Sequence, residues 1–220
     1  MTNNPNVKAV LFDLDGTLLD TAGDLIGAVN VLLDRHGKKP LPVADLRPWV
    51  SQGGLSLVSR AFDLPPDGRH AHKLWRDYLK EYKARLSTTT SLFDGMATVL
   101  NSVESTNRKW GIVTNKPEFL TSPLLKQLNL EFKPDCVVCG DTVSRSKPWP
   151  DPVLHACDLL KISPSQGVMV GDDERDILSG QSAGMVSLAA SWGYIRPNDD
   201  PEHWGADAIL EHPTELQDWI

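Results

Sequence analysis

Six short apolar runs recur along the chain: Ala9-Val10-Leu11-Phe12, Trp110 to Val113, Cys136 to Cys139, Val168 to Val170, Val186 to Ala190 and Ala208 to Leu210. The first of them is apolar at every position, not every second one, as expected for a strand buried on both faces. Helix-length stretches separate most of these runs. One of them closes on Gln181-Ser182-Ala183-Gly184, with glycine where a helix C-cap would fall. Strand and helix alternating in this way predict βα units, a parallel sheet and an α/β fold.

One region breaks the alternation, from about Asp20 to Ser87. It opens with Leu25, Ala28, Val29, Leu32 and Leu33 and closes with Ala71, Leu74, Trp75, Tyr78, Leu79 and Tyr82. Both sets keep the spacing of an amphipathic helix, and no strand-like run lies between them. The expected organisation is therefore a core domain from residues 1–19 and 88–220, with an all-helical domain over 20–87 inserted after the first strand. Hinges are expected near Asp20 and Ser87.

The 220 residues suffice to bury a core, and 40% hydrophobic with 23% charged residues is ordinary for a soluble globular protein. The net charge of −7 is spread without a basic block, which argues against nucleic acid or an anionic membrane as the main partner. A small anionic substrate stays possible, because a few cations and a metal can reverse the sign inside one site. The polar start, Met1-Thr2-Asn3-Asn4-Pro5-Asn6, runs straight into a strand, so no signal peptide and no membrane span are expected. Three cysteines suggest a reducing, cytoplasmic setting. Cys136-Val137-Val138-Cys139 spells C-x-x-C, but a zinc site lacks its further ligands, and two buried residues on an apolar strand are expected.

The chemistry-bearing residues follow the apolar runs. After the first comes Asp13-Leu14-Asp15-Gly16-Thr17, two carboxylates on one side of a strand's end and a glycine that lets the chain turn away. An ordinary Asp-Gly turn would read the same way; a calcium loop would not, since the glycine comes too early. After the second run come Thr114 and Asn115, a hydroxyl and an amide able to bind phosphoryl oxygens, although a threonine here also suits a helix N-cap. Ser146-Lys147-Pro148-Trp149-Pro150-Asp151-Pro152 holds a lysine in a stiff loop, or else a solvated surface cation. After the fourth run, Gly171-Asp172-Asp173-Glu174-Arg175-Asp176 packs acids that would repel one another unless a cation compensates. A helix N-terminus accounts for one or two of them without a metal. Singly each feature has a plain structural reading; in this order at successive strand ends they point to one site.

D-x-D-G-T, a strand-ending Thr, a Lys before Pro and G-D-D-x-x-D resemble the four motifs of the haloacid dehalogenase superfamily, over essentially the whole chain. The resemblance implies a Rossmann-like parallel sheet with helices on both faces and a small helical cap. It implies an Mg²⁺-dependent phosphatase in which Asp13 attacks phosphorus and Asp15 is acid, then base. Asp13, the Asp15 backbone carbonyl and Asp172 would hold the metal, while Thr114, Asn115 and Lys147 would bind the phosphoryl group. Asp173 and Asp176 would lie behind them, Asp176 orienting Lys147 or a metal-bound water.

Specificity would come from the cap segment Arg47-Pro48-Trp49-Val50-Ser51-Gln52-Gly53-Gly54: Arg47 bidentate to a carboxylate, with Ser51 and Gly53 close by. The alternative is a loop with an exposed arginine. Within the superfamily the chain resembles the phosphoglycolate phosphatase group. Thr114-Asn115-Lys116-Pro117, the acidic motif, and the tail from Trp192 to Pro197 with Trp204 to Asp207 fit the branch containing N-acetylmuramic acid 6-phosphate phosphatase. The expected partner is a small phosphorylated metabolite, with the protein a monomer or homodimer. A sugar-phosphate phosphotransferase or mutase would use the same motifs. A non-catalytic binding protein is disfavoured by the presence of both Asp13 and Asp15, and a dehalogenase has no use for Asp15.

Overall fold

A computed structural model describes residues 6–220. The start of the polar N-terminal stretch, residues 1–5, lies outside the described residues, and with it the expectation about a leader.

The chain runs β1 (Ala9–Phe12), β2 (Leu19–Asp20), α1 (Ala22–Arg35), α2 (Val43–Leu46), a 3-10 helix (Arg47–Gln52), α3 (Gly54–Phe62), α4 (Arg69–Lys83) and β3 (Ser91–Leu92). It continues through α5 (Met96–Ser105), β4 (Lys109–Val113), α6 (Glu118–Leu128), β5 (Cys136–Val138), α7 (Asp151–Leu160), β6 (Gly167–Gly171), α8 (Glu174–Ala183), β7 (Val186–Ala190) and β8 (Ala208–Leu210). Six strands form one sheet in the order β5-β4-β1-β6-β7-β8. Every neighbouring pair in it is parallel. The α/β fold read from the apolar runs is the one observed.

β1 lies between β4 and β6, with Phe12 level with Ile112 on one side and Val170 on the other. It is buried at every position because both faces are covered. Ala9 and Leu11 pack towards Val153, Ala156 and Leu160 of α7, whereas Val10 and Phe12 join the core containing Val99 and Leu100 of α5. Phe12 meets Trp110 edge to face at 6.3 Å. Burying each such side chain contributes about 1.5–3 kcal/mol. Gly184, at φ 84°, ends α8 as the sequence suggested.

Between β2 and β3 the chain is helical, and α1 and α4 span the two amphipathic stretches. The outgoing and returning chains pair antiparallel, Leu19 with Leu92 and Asp20 with Ser91. Two residues per strand are too short to show a period, so this ladder was not legible in the sequence. Beside it Asp24, in the first turn of α1, is 1% exposed and accepts hydrogen bonds from the backbone N–H and hydroxyl of both Thr89 and Thr90. The three cysteines are free and buried, in keeping with their reading as core residues. No described helix is long and apolar enough to cross a membrane.

Candidate active site

Because β4, β1 and β6 are adjacent and parallel, the residues that follow them meet at one edge of the sheet. Those residues are Thr114, Asp13 and Asp172. Ligands bind in open α/β sheets at this carboxyl edge. After Asp13 the chain doubles back: Gly16 N–H donates to the Leu19 carbonyl at 3.0 Å, and Leu19 N–H to the Leu14 carbonyl at 2.8 Å. Gly16 has φ 95°, and a Cβ there would overlap the Asp172 carboxylate. Only glycine meets both demands.

Lys147 Nζ sits at the centre. It donates to Asp13 Oδ1 at 2.6 Å and to the Val113 carbonyl at 2.7 Å, and it pairs with Asp176 Oδ1 at 2.5 Å. The lysine is 4% exposed, so the surface-cation alternative does not describe it. Burial alone would pull its ammonium down, but Asp13 and Asp176 outweigh burial and raise it above its ordinary value. Asn115 holds the Lys147 backbone at both ends: its Nδ2 donates to the carbonyl at 3.0 Å and its Oδ1 accepts from the N–H at 3.1 Å. Both ends of the Asn115 amide, expected to meet a phosphoryl group, thus engage the Lys147 backbone.

Asp172 accepts from Thr17 Oγ1, Tyr194 N–H and Ser51 Oγ, each at 2.9 Å. Burial, then Asp13 and Asp176, push its carboxyl well above the usual carboxylate range; Tyr194 and Thr17 oppose them. Burial also pushes Asp176 up; Lys147 opposes it, and Asp13 and Asp173 add to it. Carboxylate oxygens of Asp13, Asp172 and Asp176 all lie within 4.8 Å of one another. Three acids facing one ammonium leave an excess of negative charge, and an all-oxygen donor set suits a hard divalent cation. Asp176 therefore stands in this cluster as well as beside Lys147.

Asp173 caps α8, accepting from Arg175 N–H at 3.0 Å, while its own N–H donates to Asp176 Oδ2 at 3.1 Å. Arg175 grips Asp173 through Nε at 2.7 Å and Nη2 at 2.9 Å, and Nη2 also reaches the Ser51 carbonyl at 2.5 Å. Gln52 Nε2 donates to Asp173 at 3.0 Å. The 3-10 helix Arg47–Gln52 thus rests on the acidic motif after β6.

A cavity of about 370 Å³ opens over these groups. Asp13, Asp15, Ser51, Gly53, Thr114, Asn115, Lys147, Asp173 and Asp176 all contribute to its wall. Asp172 is buried and is not among them. Arg47, expected to meet a substrate carboxylate, is not among the residues that line the cavity. Its Nη1 instead donates to both oxygens of Asp20 at 2.9 Å, and its guanidinium lies 4.9 Å from the centre of the Tyr194 ring. Tyr194 Oη completes that knot by donating to Asp20 at 2.9 Å and accepting from Thr21 N–H at 2.8 Å.

Asp15 has a partner the sequence reading passed over. Lys116 Nζ lies 2.8 and 3.1 Å from its two oxygens, and Thr21 Oγ1 donates to Oδ1 at 2.6 Å. The available signal was a lysine two residues past the strand-ending threonine. Thr114 Oγ1 accepts from Lys116 N–H at 3.1 Å, which keeps its hydroxyl proton for another acceptor.

A parallel sheet whose carboxyl edge gathers two aspartates, a buried lysine and an acidic cluster is the layout of an enzyme that handles phosphoryl groups with a metal. The profile of haloacid dehalogenase-like hydrolases matches residues 10–190, and the chain belongs to that family. It is 42% identical over 212 residues, 96% of this chain and 94% of the relative, to N-acetylmuramic acid 6-phosphate phosphatase of Pseudomonas aeruginosa. It is 45% identical over 210 residues, 95% and 94% respectively, to phosphoglycolate phosphatase of Xanthomonas campestris pv. campestris. Its fold superposes on a haloacid dehalogenase-like hydrolase from Streptococcus pneumoniae with a TM-score of 0.80 at 23% identity, covering 97% of this chain and 98% of that one.

Proposed function

We propose that the chain is an Mg²⁺-dependent phosphomonoester hydrolase in which Asp13 carries the phosphoryl group. One observation carries this reading: Asp13 and Asp15 face one cavity but are held by different cations, Asp13 by Lys147 and Asp15 by Lys116. Two carboxylates with separate supports can take separate roles.

The Asp13 carboxylate attacks phosphorus as the bond from phosphorus to the substrate oxygen breaks. Asp15 gives its proton to the departing alcohol. It then takes a proton from the water that attacks the aspartyl-phosphate, and inorganic phosphate leaves with Asp13 restored. Thr114 and Lys147 hold phosphoryl oxygens, and Asn115 fixes the backbone that carries Lys147. Asp13, the Asp15 carbonyl and Asp172 would hold Mg²⁺, with Asp176 beside them. When bound, the ion neutralises charge on the phosphoryl group. Residues 20–87 serve as a cap over a core of 1–19 and 88–220. The free cysteines suit a reducing cytoplasm.

For substrate we favour a sugar phosphate such as N-acetylmuramic acid 6-phosphate over 2-phosphoglycolate. Beyond the polar floor the cavity wall is apolar, from Leu25, Val50, Trp75, Leu79 and Phe119. A sugar ring with its acyl groups covers such a wall, whereas a two-carbon acid leaves it wet. The test is phosphate release in Mg²⁺ buffer, comparing these two substrates and common hexose phosphates by kcat/KM. The sugar acid should rank first without added bisphosphate, and Asp13→Asn should release nothing from it. An active Asp13→Asn enzyme would remove the mechanism, and a clear preference for 2-phosphoglycolate would remove the substrate.

A further inference from the structure

Lys116 is buried, its side chain 6% exposed, and the chemistry above uses it only as the cation beside Asp15. The ammonium touches three things. Two are the oxygens of Asp15, at 2.8 and 3.1 Å, and the third is Tyr82 Oη, at 2.6 Å. It also lies 4.7 Å from the centre of the Tyr82 ring. Tyr82 comes from α4, and its phenol is pushed well up by burial, then by Asp15 and Asp24, so it stays neutral and accepts the lysine's hydrogen bond. Tyr78, one turn earlier, stacks on Tyr82 with ring centres 6.0 Å apart and planes 8° from parallel. Pro117 follows the lysine as the extended N-cap residue before α6, which fixes the backbone from which it projects.

We infer that Lys116 is a positioning residue: forked across both oxygens of Asp15 and braced by Tyr82, it fixes the carboxyl group at the angle from which a proton reaches the departing oxygen. The inference rests on Asp15 being the acid. An aspartate carboxyl on a strand-end turn has two free torsions, and a single bond from Thr21 leaves one of them open. The lysine's contact with the second oxygen closes it. Proton transfer depends steeply on such alignment, because the donor must stand within hydrogen-bond reach of the oxygen it serves. Because the role is one of alignment, the effect should track how much help the leaving group needs.

Aryl phosphates report this directly. p-Nitrophenolate leaves without a proton, phenolate needs one, and neither carries a carboxylate that Lys116 might bind. Lys116→Met should lose about 100-fold in kcat/KM on phenyl phosphate and at least tenfold less than that on p-nitrophenyl phosphate. Tyr82→Phe keeps the ring and removes the brace, so it should show the same asymmetry in weaker form; it decides the matter if Lys116→Met does not fold. Equal losses on both substrates, or no loss, would overturn the inference and make Lys116 a packing or phosphoryl-binding residue. Asp15→Asn is the separating control. If it shows no asymmetry, the reading of Asp15 itself fails; if it alone shows asymmetry, only the role of Lys116 does.

Discussion

Lys147 shows how much one side chain's surroundings decide. In sequence it was a lysine among prolines, equally a site residue or a solvated cation. In the fold it is the only ammonium touching Asp13 and Asp176 among the described contacts, and it is almost wholly buried. Removing it therefore does two things at once. Lys147→Met should lower kcat/KM at least 100-fold, since the charged contact proposed for the phosphoryl group would be lost. It should also destabilise the metal-free protein by about 3 kcal/mol, because two buried carboxylates lose their counterion. Urea unfolding in EDTA measures the second effect, and an unchanged midpoint would show that the acids are not both charged there. Arg47 makes the opposite case. Its carboxylate partner in the fold is Asp20, brought near by a ladder of two-residue strands that leaves no periodic trace.

At the scale of elements, the strand ends were legible and their supports were not. Apolar runs mark β1, β4 and β6 because a parallel strand covered on both faces has no polar position to spare. That places Asp13, Thr114 and Asp172 at strand ends. It says nothing of which side chains brace them, since Lys116 with Asp15, and Asn115 with Lys147, are remote pairs set by packing. The strap around Asp24 is another such remote set. There the helical stretch leaves and rejoins the sheet, and two N–H groups with two hydroxyls converge on one buried carboxylate. Asp24→Ala strands those donors, and each unsatisfied buried donor costs about 1–3 kcal/mol. The variant should lose at least about 3 kcal/mol in urea unfolding, because several donors share the loss. A loss below 1 kcal/mol would mean that water readily replaces the carboxylate there.

Across the whole molecule, the net charge of −7 conceals a local problem that folding creates and a cation would solve. Folding places Asp13, Asp172 and Asp176 within 4.8 Å of one another, and pushes the carboxyls of Asp172 and Asp176 above their ordinary values. A raised carboxyl means that the folded protein binds protons which the unfolded chain has released. The stability these groups contribute is present below the ordinary carboxylate range and is lost as pH rises through their folded values. Without metal, the protein should therefore become less stable from pH 5 towards pH 8. Mg²⁺ competes with those protons, so its stabilising effect should run the other way, small at pH 5 and large at pH 8. At 100 times its dissociation constant a ligand adds about 2.7 kcal/mol, or roughly 5–10 °C in Tm for a chain of this size. Differential scanning fluorimetry with Mg²⁺ against EDTA at the two pH values tests this without any assay of turnover. Asp172→Asn should raise the metal-free Tm at pH 8, since it removes a buried charge, and should abolish most of the gain from Mg²⁺. A wild-type Tm indifferent to Mg²⁺ at pH 8 would show that the three acids are not a cation site, whatever the enzyme does with its substrate.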